Sequence, residues 1–214
     1  YGDHRDLHLS IRRQRQMCIR DRLNIMFFMG RNLNFLMSLI LIIIFLIPMV
    51  FIGLIILITS KSSPFYWSKR VGINNEIFLM PKFRTMKTDT PQVATHLLQD
   101  PNTYFLPFGK FLRKFSLDEL PQLISIFKGD MSFVGCRPAL YNQDDLIKLR
   151  VSKGLDKLKP GLTGWAQVNG RDDLSIQLKV DYEVEYMEKK SFSFDLYIIW
   201  LTLLKIIKKD GVSH

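Results

Sequence analysis

The sequence predicts an α+β protein: an N-terminal membrane-inserted helix precedes a small, mainly helical domain with a short β-hairpin and interfacial amphipathic helices. Three observations predict this organisation. A long uncharged stretch has the length of a membrane helix, two short segments bracket a pair of asparagines, and later segments carry apolar stripes at helical spacing. We therefore divide the chain into a leader over residues 1–25, a membrane anchor over 26–60 and a folded domain over 61–214.

Residues 1–25 are predicted to be a non-native or disordered leader. The stretch from Tyr1 to Arg22 is polar, shows no hydrophobic periodicity and does not start with methionine. It resembles translated sequencing-adapter sequence, which has no place in the fold. Native translation is then expected to begin at Met26 or Met29.

The membrane anchor is predicted from the uncharged stretch Leu36–Ile58. At about 1.5 Å per residue it reaches roughly 35 Å, enough for a bilayer core. Pro48 lies within it, where proline removes a backbone hydrogen bond and can bend a helix. Lys61, Lys69 and Arg70 follow, which favours a cytoplasmic location for this end. Whether the anchor spans the membrane or re-enters on one face is left open by these residues.

A β-hairpin is predicted over Val71–Met86, with two short strands around the turn pair Asn74-Asn75, because asparagine tolerates positive φ. Lys82 and Arg84 alternate with an apolar residue on the second strand and so share a face. Two interpretations remain open, a solvated strand face and a pair of cations that binds phosphate.

Amphipathic helices are predicted further along the domain. After Pro107, an apolar stripe with basic residues opposite consists of Phe108, Phe111, Leu112 and Phe115. Asp144–Lys159 is predicted as a surface helix, and Phe194–Lys209 as a helix with a broad apolar face. A solvated helix face is predicted for Glu183, Glu185 and Glu188. The apolar stripes indicate helices in the membrane interface, with packing against a core as the alternative.

An adjacent acidic pair, Asp118 and Glu119, lies between Arg113 and Arg137. Apolar residues at helical spacing follow it, and Lys128-Gly129 predicts the end of that helix. A carboxylate that attacks a phosphate meets charge repulsion, so neighbouring cations suit such chemistry. The structural alternative is a capping box, because Ser116–Glu119 has the pattern S-x-x-E.

The formal net charge of +10 favours anionic partners: nucleic acid, acidic lipid head groups or phosphorylated substrates. No helix-turn-helix, RRM or aromatic–basic repeat accompanies the charge, so nucleic acid is not the expected partner. The two cysteines, Cys18 and Cys136, lack metal-ligand spacing and predict no disulfide framework, which fits a reducing compartment.

Three motifs resemble the bacterial sugar transferases, the monotopic phosphoglycosyl transferases that begin glycan assembly on a lipid carrier. They are KFRTM at Lys82–Met86, SLDELPQLISIFKGDMSFVGCRP at Ser116–Pro138 and the loop-like KPGLTGWAQVNGR at Lys159–Arg171. Their order and spacing are those of the family, and the resemblance extends from roughly Leu33 to the C-terminus.

The resemblance implies a reaction: a phosphosugar passes from a UDP-sugar to polyprenyl phosphate, and UMP is released. It places the domain on the cytoplasmic face of the bacterial inner membrane, in contact with membrane lipids. By position, Asp118 is the nucleophile that forms a covalent aspartyl intermediate, and Asp118 with Glu119 holds Mg²⁺. The expected substrate contacts are Lys82, Arg84, Arg113, Arg137, Gln167, Asn169 and Arg171.

Two positions depart from the family pattern. The resemblance implies a re-entrant anchor bent at Pro48, yet Ile47 stands where a small polar residue is frequent. Cys136 stands before Arg137, where proline is usual. Two rival classes also remain, a non-catalytic membrane scaffold and a membrane-tethered protein that binds nucleic acid or another anionic ligand.

Overall fold

The computed structural model describes residues 3–60, 62–90, 101–170 and 174–208, and it describes side chains of the first helix from Asn32 onward. These ranges form seven α-helices and two two-stranded sheets. The helices are α1 (Asp3–Ser60), α2 (Gly109–Lys114), α3 (Gln122–Lys128), α4 (Asp144–Ser152), α5 (Trp165–Val168), α6 (Ile176–Lys189) and α7 (Phe192–Lys208). The strands are β1 (Phe65–Val71), β2 (Ile77–Phe83), β3 (Ser132–Val134) and β4 (Gly161–Thr163).

The anchor segment is part of α1, which continues through Pro48 without a break. Of the described helices, only this one contains a segment, Asn32–Ser60, that is long and apolar enough to cross a membrane. One face contacts the domain on both sides of the proline, through Leu41, Ile42, Phe45, Met49, Ile52 and Ile56. The opposite face is apolar and exposed; Ile47, for example, is 81% exposed. A helix with this distribution suits a lipid environment on its outer side.

The β-hairpin is antiparallel, with Phe65 opposite Phe83 and Val71 opposite Ile77. Its connection has Asn74 at φ 52° and Asn75 at φ 61°, which confirms the predicted turn. The predicted start of the first strand at Val71 is wrong, because the strand begins at Phe65. The alternation of side chains that is typical of a strand extends upstream of Val71. Pairing with β2 determines how many of those residues belong to the sheet.

The helix after the acidic pair is α3, which buries Leu123 and Ile126, ends at Lys128 and is capped by Gly129. Gly129 adopts φ 91°, so the predicted helix end is confirmed. The chain then enters β3, which pairs in parallel with β4. The motif expected to be loop-like thus contains a strand and the short helix α5, because β3 supplies a partner that local sequence does not reveal.

The apolar stripe predicted before the acidic pair has one residue in the core and three at the surface. Leu112 of α2 is buried beside Ile56 and Phe83. Phe108, Phe111 and Phe115 are 53%, 54% and 37% exposed. Exposed phenylalanines beside basic residues are typical of a helix at a membrane interface.

The α6 helix contains the clearest departure from the predicted surface. Glu188 is exposed as expected, but Glu183 is only 2% exposed and pairs with Arg150 of α4. The predicted solvated face is therefore wrong at Glu183. The cation that compensates it lies 33 residues earlier in the chain, so no local pattern indicates the pair.

Two polar side chains of the C-terminal helix α7, Asp195 and Thr202, contact the domain. Asp195 accepts a hydrogen bond from the buried Tyr186 hydroxyl at 2.8 Å, and the Thr202 and Thr163 hydroxyls are 2.7 Å apart. Its large apolar residues Leu196, Trp200 and Ile207 are 48%, 59% and 75% exposed. A helix that packs Ile198 into the core and also exposes large apolar residues fits an apolar neighbour on its outer side.

Candidate active site

The acidic pair occupies a 3₁₀ turn, Leu117–Glu119, between α2 and α3. Ser116 enters it in the left-handed region, with φ 54° and ψ 22°, and its side chain makes no capping hydrogen bond. The capping-box interpretation therefore does not account for this pair. Glu119 contacts side chains from other elements instead, and Asp118 is only 7% exposed.

Two cations meet at one oxygen of Glu119. The Lys82 ammonium donates to its Oε1 at 2.8 Å, and the Arg137 guanidinium donates to the same atom at 3.2 Å. Lys82 comes from β2 and Arg137 follows β3, so the contact joins three separate parts of the chain. The arrangement confirms that these predicted site residues lie together.

The charges of Glu119 and of the neighbouring cations also act on Asp118. Burial raises the pKa of its carboxyl above the ordinary value; Lys82 and Arg113 oppose this rise, and Glu119 adds to it. Burial likewise lowers the pKa of the Lys82 ammonium, against the attraction of both carboxylates. The cations therefore favour an ionised Asp118 that burial alone would disfavour.

Arg113 approaches the pair from α2. Its Nε donates to Thr85 Oγ1 at 3.0 Å, and its guanidinium carbon lies 5.1 Å from the centre of the Phe105 ring. Arg113 thus contacts Thr85 of the KFRTM motif, and its positive charge opposes the rise in the pKa of Asp118. The predicted grouping of this arginine with the acidic pair is consistent with the structure.

A small, open recess adjoins Glu119. Its wall is formed by Arg70, Met80, Lys82, Glu119, Gln122, Arg137, Pro138 and Gly161. Three of these residues are cations and one is an acid, so the recess is electropositive and suits phosphate groups. The recess is far smaller than a ligand pocket, which usually measures about 300–1,000 Å³, so a nucleotide sugar would extend beyond it.

Two wall residues with polar side chains, Arg70 and Gln122, are not among the predicted site residues. Arg70 donates to Ser68 Oγ and to the Pro138 carbonyl, both at 3.0 Å. Gln122 is 3% exposed and lies in the Ser116–Pro138 motif, which also contains the acidic pair. The position of Gln122 in the Ser116–Pro138 motif could have indicated that it belongs to the site. No local sequence pattern indicates Arg70, because only the folded arrangement of the chain brings it to the recess.

The other predicted substrate contacts have different surroundings. Arg84 donates to the carbonyls of Ser63, at 2.9 Å, and Phe65, at 3.4 Å. Gln167 donates to the Leu162 carbonyl at 3.1 Å, and Asn169 to the Trp165 carbonyl at 2.8 Å. None of the three lines the recess, and Arg171 lies outside the described residues. Their role in substrate binding stays a prediction.

The fit of Mg²⁺ depends on the two carboxylates. Within the described ranges, no group of three or more His, Cys, Asp or Glu side chains is placed to hold a metal. Mg²⁺ is commonly bound by one or two carboxylates together with substrate phosphates and water. Asp118 and Glu119 supply carboxylates of this type, and their binding of Mg²⁺ stays a prediction.

The sequence of this chain is similar to those of known bacterial proteins. The sequence profile of the family described as bacterial sugar transferase matches residues 25–209. An uncharacterized sugar transferase, EpsL of Bacillus subtilis, is 39% identical over 155 residues, covering 72% of this chain and 74% of the relative. The exopolysaccharide production protein ExoY of Rhizobium meliloti is 36% identical over 172 residues, with the same two coverages.

A third relative has a named reaction. The UDP-glucose:undecaprenyl-phosphate glucose-1-phosphate transferase of Escherichia coli is 35% identical over 163 residues. The matched region covers 72% of this chain and 35% of that longer protein. The similarity therefore concerns one part of the Escherichia coli protein.

Proposed function

The chain belongs to the bacterial sugar transferase family and is a phosphoglycosyl transferase, and from that membership we propose that it transfers a phosphosugar from a UDP-sugar to undecaprenyl phosphate. The product is undecaprenyl-diphosphate-sugar, the first lipid-linked intermediate of a bacterial surface glycan. UMP is the second product. The activity for which the Escherichia coli relative is named supports this reaction class.

One structural observation carries the proposal for the site. Glu119 lines an electropositive recess and accepts hydrogen bonds from Lys82 and Arg137, and the charges of Lys82 and Arg113 act on the adjacent Asp118 carboxyl. A carboxylate nucleophile needs such cations, since they reduce repulsion between the carboxylate and the phosphate.

We assign the covalent step to Asp118. A carboxylate oxygen attacks the β-phosphorus of the UDP-sugar, the bond from that phosphorus to the bridging oxygen breaks, and UMP leaves with the electron pair. An oxygen of undecaprenyl phosphate then attacks the same phosphorus and releases the Asp118 carboxylate. Because Asp118 is largely shielded, we expect neighbouring side chains to move when substrate binds.

The remaining residues bind and orient substrate in this proposal. Arg70 and Arg137 line the recess and suit the nucleotide phosphates, while Lys82 neutralises charge between the carboxylates and the transferred phosphate. When bound by Asp118 and Glu119, Mg²⁺ would neutralise charge on the diphosphate. Arg84, Gln167, Asn169 and Arg171 remain expected contacts for the rest of the UDP-sugar.

We further propose that the anchor is re-entrant and that the domain faces the cytoplasm. Contacts with the domain extend from Asn34, whose side chain accepts from the Phe133 N–H, to Ile56. This interval is about 33 Å of helix, close to the full thickness of a bilayer core. A helix that spans the membrane perpendicular to its plane would contact a cytoplasmic domain only over the few turns nearest to that domain. The continuous contact instead favours an anchor that stays beside the domain on one side of the membrane.

The test of function is release of UMP by the full chain in detergent or lipid nanodiscs. With undecaprenyl phosphate present, one UDP-sugar of a panel that includes UDP-glucose should give continuous UMP release. Without the lipid, the covalent step should give a single stoichiometric burst. Asp118→Asn should lose turnover by at least roughly a thousandfold and lose the burst.

The matched control is Asp145→Asn, which removes an exposed carboxylate at the start of α4 and should leave turnover unchanged. Wild-type turnover in Asp118→Asn would refute the covalent assignment. A non-catalytic scaffold would release no UMP from any member of the panel.

A further inference from the structure

The segment 136–139, which carries Arg137 into the recess, is held by its backbone. The carbonyl oxygens of Cys136, Arg137, Pro138 and Ala139 accept, in that order, from Gly161 N–H at 2.9 Å, the Arg150 guanidinium at 2.9 Å, the Arg70 guanidinium at 3.0 Å and Val71 N–H at 3.0 Å. These donors belong to β4, α4 and β1. A segment with every carbonyl engaged is tightly constrained in φ and ψ, so these contacts fix the origin of the Arg137 side chain.

One of these donors belongs to a buried ion pair. Arg150 and Glu183 are 9% and 2% exposed. The Arg150 guanidinium donates to both carboxylate oxygens of Glu183, through Nε to Oε2 at 2.8 Å and through Nη2 to Oε1. The same Nη2 donates to the Arg137 carbonyl. Burying two charges costs free energy that apolar residues of the same size would not cost, so the pair is weakly explained by stability alone.

We propose that Arg150 and Glu183 are positioning residues for Arg137. Glu183 orients the Arg150 guanidinium, which holds the Arg137 carbonyl, and the Arg137 side chain is thereby directed to Glu119 and to the nucleotide phosphates. The proposal rests on the proposed function, in which Arg137 contacts the UDP-sugar. It extends the site from the acidic turn to α4 and α6, which present no side chain to the recess.

The chemistry of arginine suits this task. A guanidinium has five N–H donors in a fixed plane, so it can bind both oxygens of a carboxylate and still donate to a carbonyl. A lysine ammonium is a compact charge on a flexible chain and lacks that fixed geometry. Because Arg137 is expected to bind substrate, displacement of its backbone should weaken UDP-sugar binding more than it slows the chemical step.

The decisive variant replaces the pair by apolar residues, Arg150→Met together with Glu183→Leu. Removing both charges of a buried pair together is often neutral or stabilising, so this variant should fold. We expect a folded protein whose Tm falls by no more than the loss of the hydrogen bond to the Arg137 carbonyl explains, an increase in KM for the UDP-sugar of about tenfold, and a much smaller change in kcat. Lys148→Gln and Glu188→Gln remove exposed charges from the same two helices and should leave KM unchanged.

KM separates positioning from a merely structural role. Partial unfolding reduces the active fraction and so lowers the measured kcat, but it does not change KM. A KM within twofold of wild type would overturn the proposal, whatever the effect on Tm. If the double variant fails to fold, Glu183→Gln, which keeps shape and one acceptor oxygen, is measured by the same criterion.

A double-mutant cycle with Arg137→Ala checks that the effect passes through Arg137. Once Arg137 lacks its side chain, replacing Arg150 and Glu183 should change kcat/KM by less than about twofold. Equal factors in both backgrounds would show independent effects and contradict the proposal. Failure of the proposed function itself would look different, because the wild-type chain would then release no UMP and have no KM to compare.

Discussion

The Lys82 ammonium lies 2.8 Å from Oε1 of Glu119, a residue 37 positions later in the chain. Their side chains are 16% and 13% exposed, so the pair is largely removed from water. Arg137 donates to the same oxygen, which gives Glu119 two cationic partners. The contact ties the β-hairpin to the acidic turn and leaves the recess with an excess of positive charge for a phosphate.

Replacing Lys82 by methionine should lower kcat/KM for UMP release by roughly 10²–10³-fold. Losing one charged donor at a site of developing phosphate charge typically has an effect of this size. Lys69→Met, an exposed position on the same hairpin, is the control and should retain activity. Similar losses in both variants would mean that the hairpin's overall charge matters, and not the Lys82–Glu119 contact.

Removal of divalent cations should abolish turnover. Asp118 and Glu119 supply too few ligands to bind Mg²⁺ tightly without substrate, so EDTA should remove it readily. Turnover is measured in EDTA, after excess Mg²⁺ is restored, and with EDTA already saturated with Mg²⁺ as the control. Full turnover in EDTA alone would show that Lys82, Arg113 and Arg137 suffice and that the metal assignment is wrong.

Local patterns predicted the elements that depend on local sequence. The turn at Asn74-Asn75 and the helix end at Gly129 follow from backbone preferences of single residues, and both are confirmed. The sequence itself places the acidic pair between Arg113 and Arg137, whereas Lys82, which lies on a separate element, joins the predicted site through the family resemblance.

What the sequence did not reveal are contacts made across the fold. Glu183 has the spacing of a surface residue, and only the packing of α4 against α6 shows that it is buried with Arg150. From the sequence alone, Arg70 is a charge that flanks the anchor, but the register of the hairpin brings it to the Pro138 carbonyl. The backbone bonds of segment 136–139 likewise replace the stiffness that proline would give at Cys136.

The Cys136 thiol should affect stability at alkaline pH. Burial, with a smaller contribution from the Glu183 carboxylate, raises the pKa of this thiol from 9.0 to about 12. Between these values the unfolded chain loses the thiol proton and the folded protein keeps it. The folded state therefore binds more protons, and the free energy of unfolding falls with rising pH by up to about 1.4 kcal/mol per unit.

Thermal unfolding of the wild type and of Cys136→Ala between pH 8 and pH 10.5 checks this effect. Lysines and tyrosines titrate in both proteins, so the informative quantity is the difference between their Tm values. The wild type should lose more stability than the variant as pH rises above 9. Parallel curves would indicate that the thiol ionises equally in both states.

The bond between Tyr186 and Asp195 should contribute measurably to the attachment of α7. Tyr186→Phe removes the donor that contacts Asp195 at 2.8 Å and leaves a largely buried carboxyl without it. We expect a loss of about 1–3 kcal/mol in the free energy of unfolding. Tyr197→Phe, at a position that is 50% exposed on α7, is the matched control. If both variants unfold at the wild-type midpoint, the hydrogen bond adds nothing to stability.

The re-entrant anchor predicts that both ends of the apolar segment are reached from one side of the membrane. Single cysteines are introduced at Asn32 and at Ser63, both exposed, in a chain whose native cysteines are replaced by serine. A membrane-impermeant maleimide added to inverted inner-membrane vesicles should label both positions, because their cytoplasmic face is outward. Right-side-out vesicles should label neither until they are permeabilised. Labelling of Asn32→Cys only from the opposite side would establish a spanning helix, and the long contact between α1 and the domain would then require the domain itself to enter the bilayer.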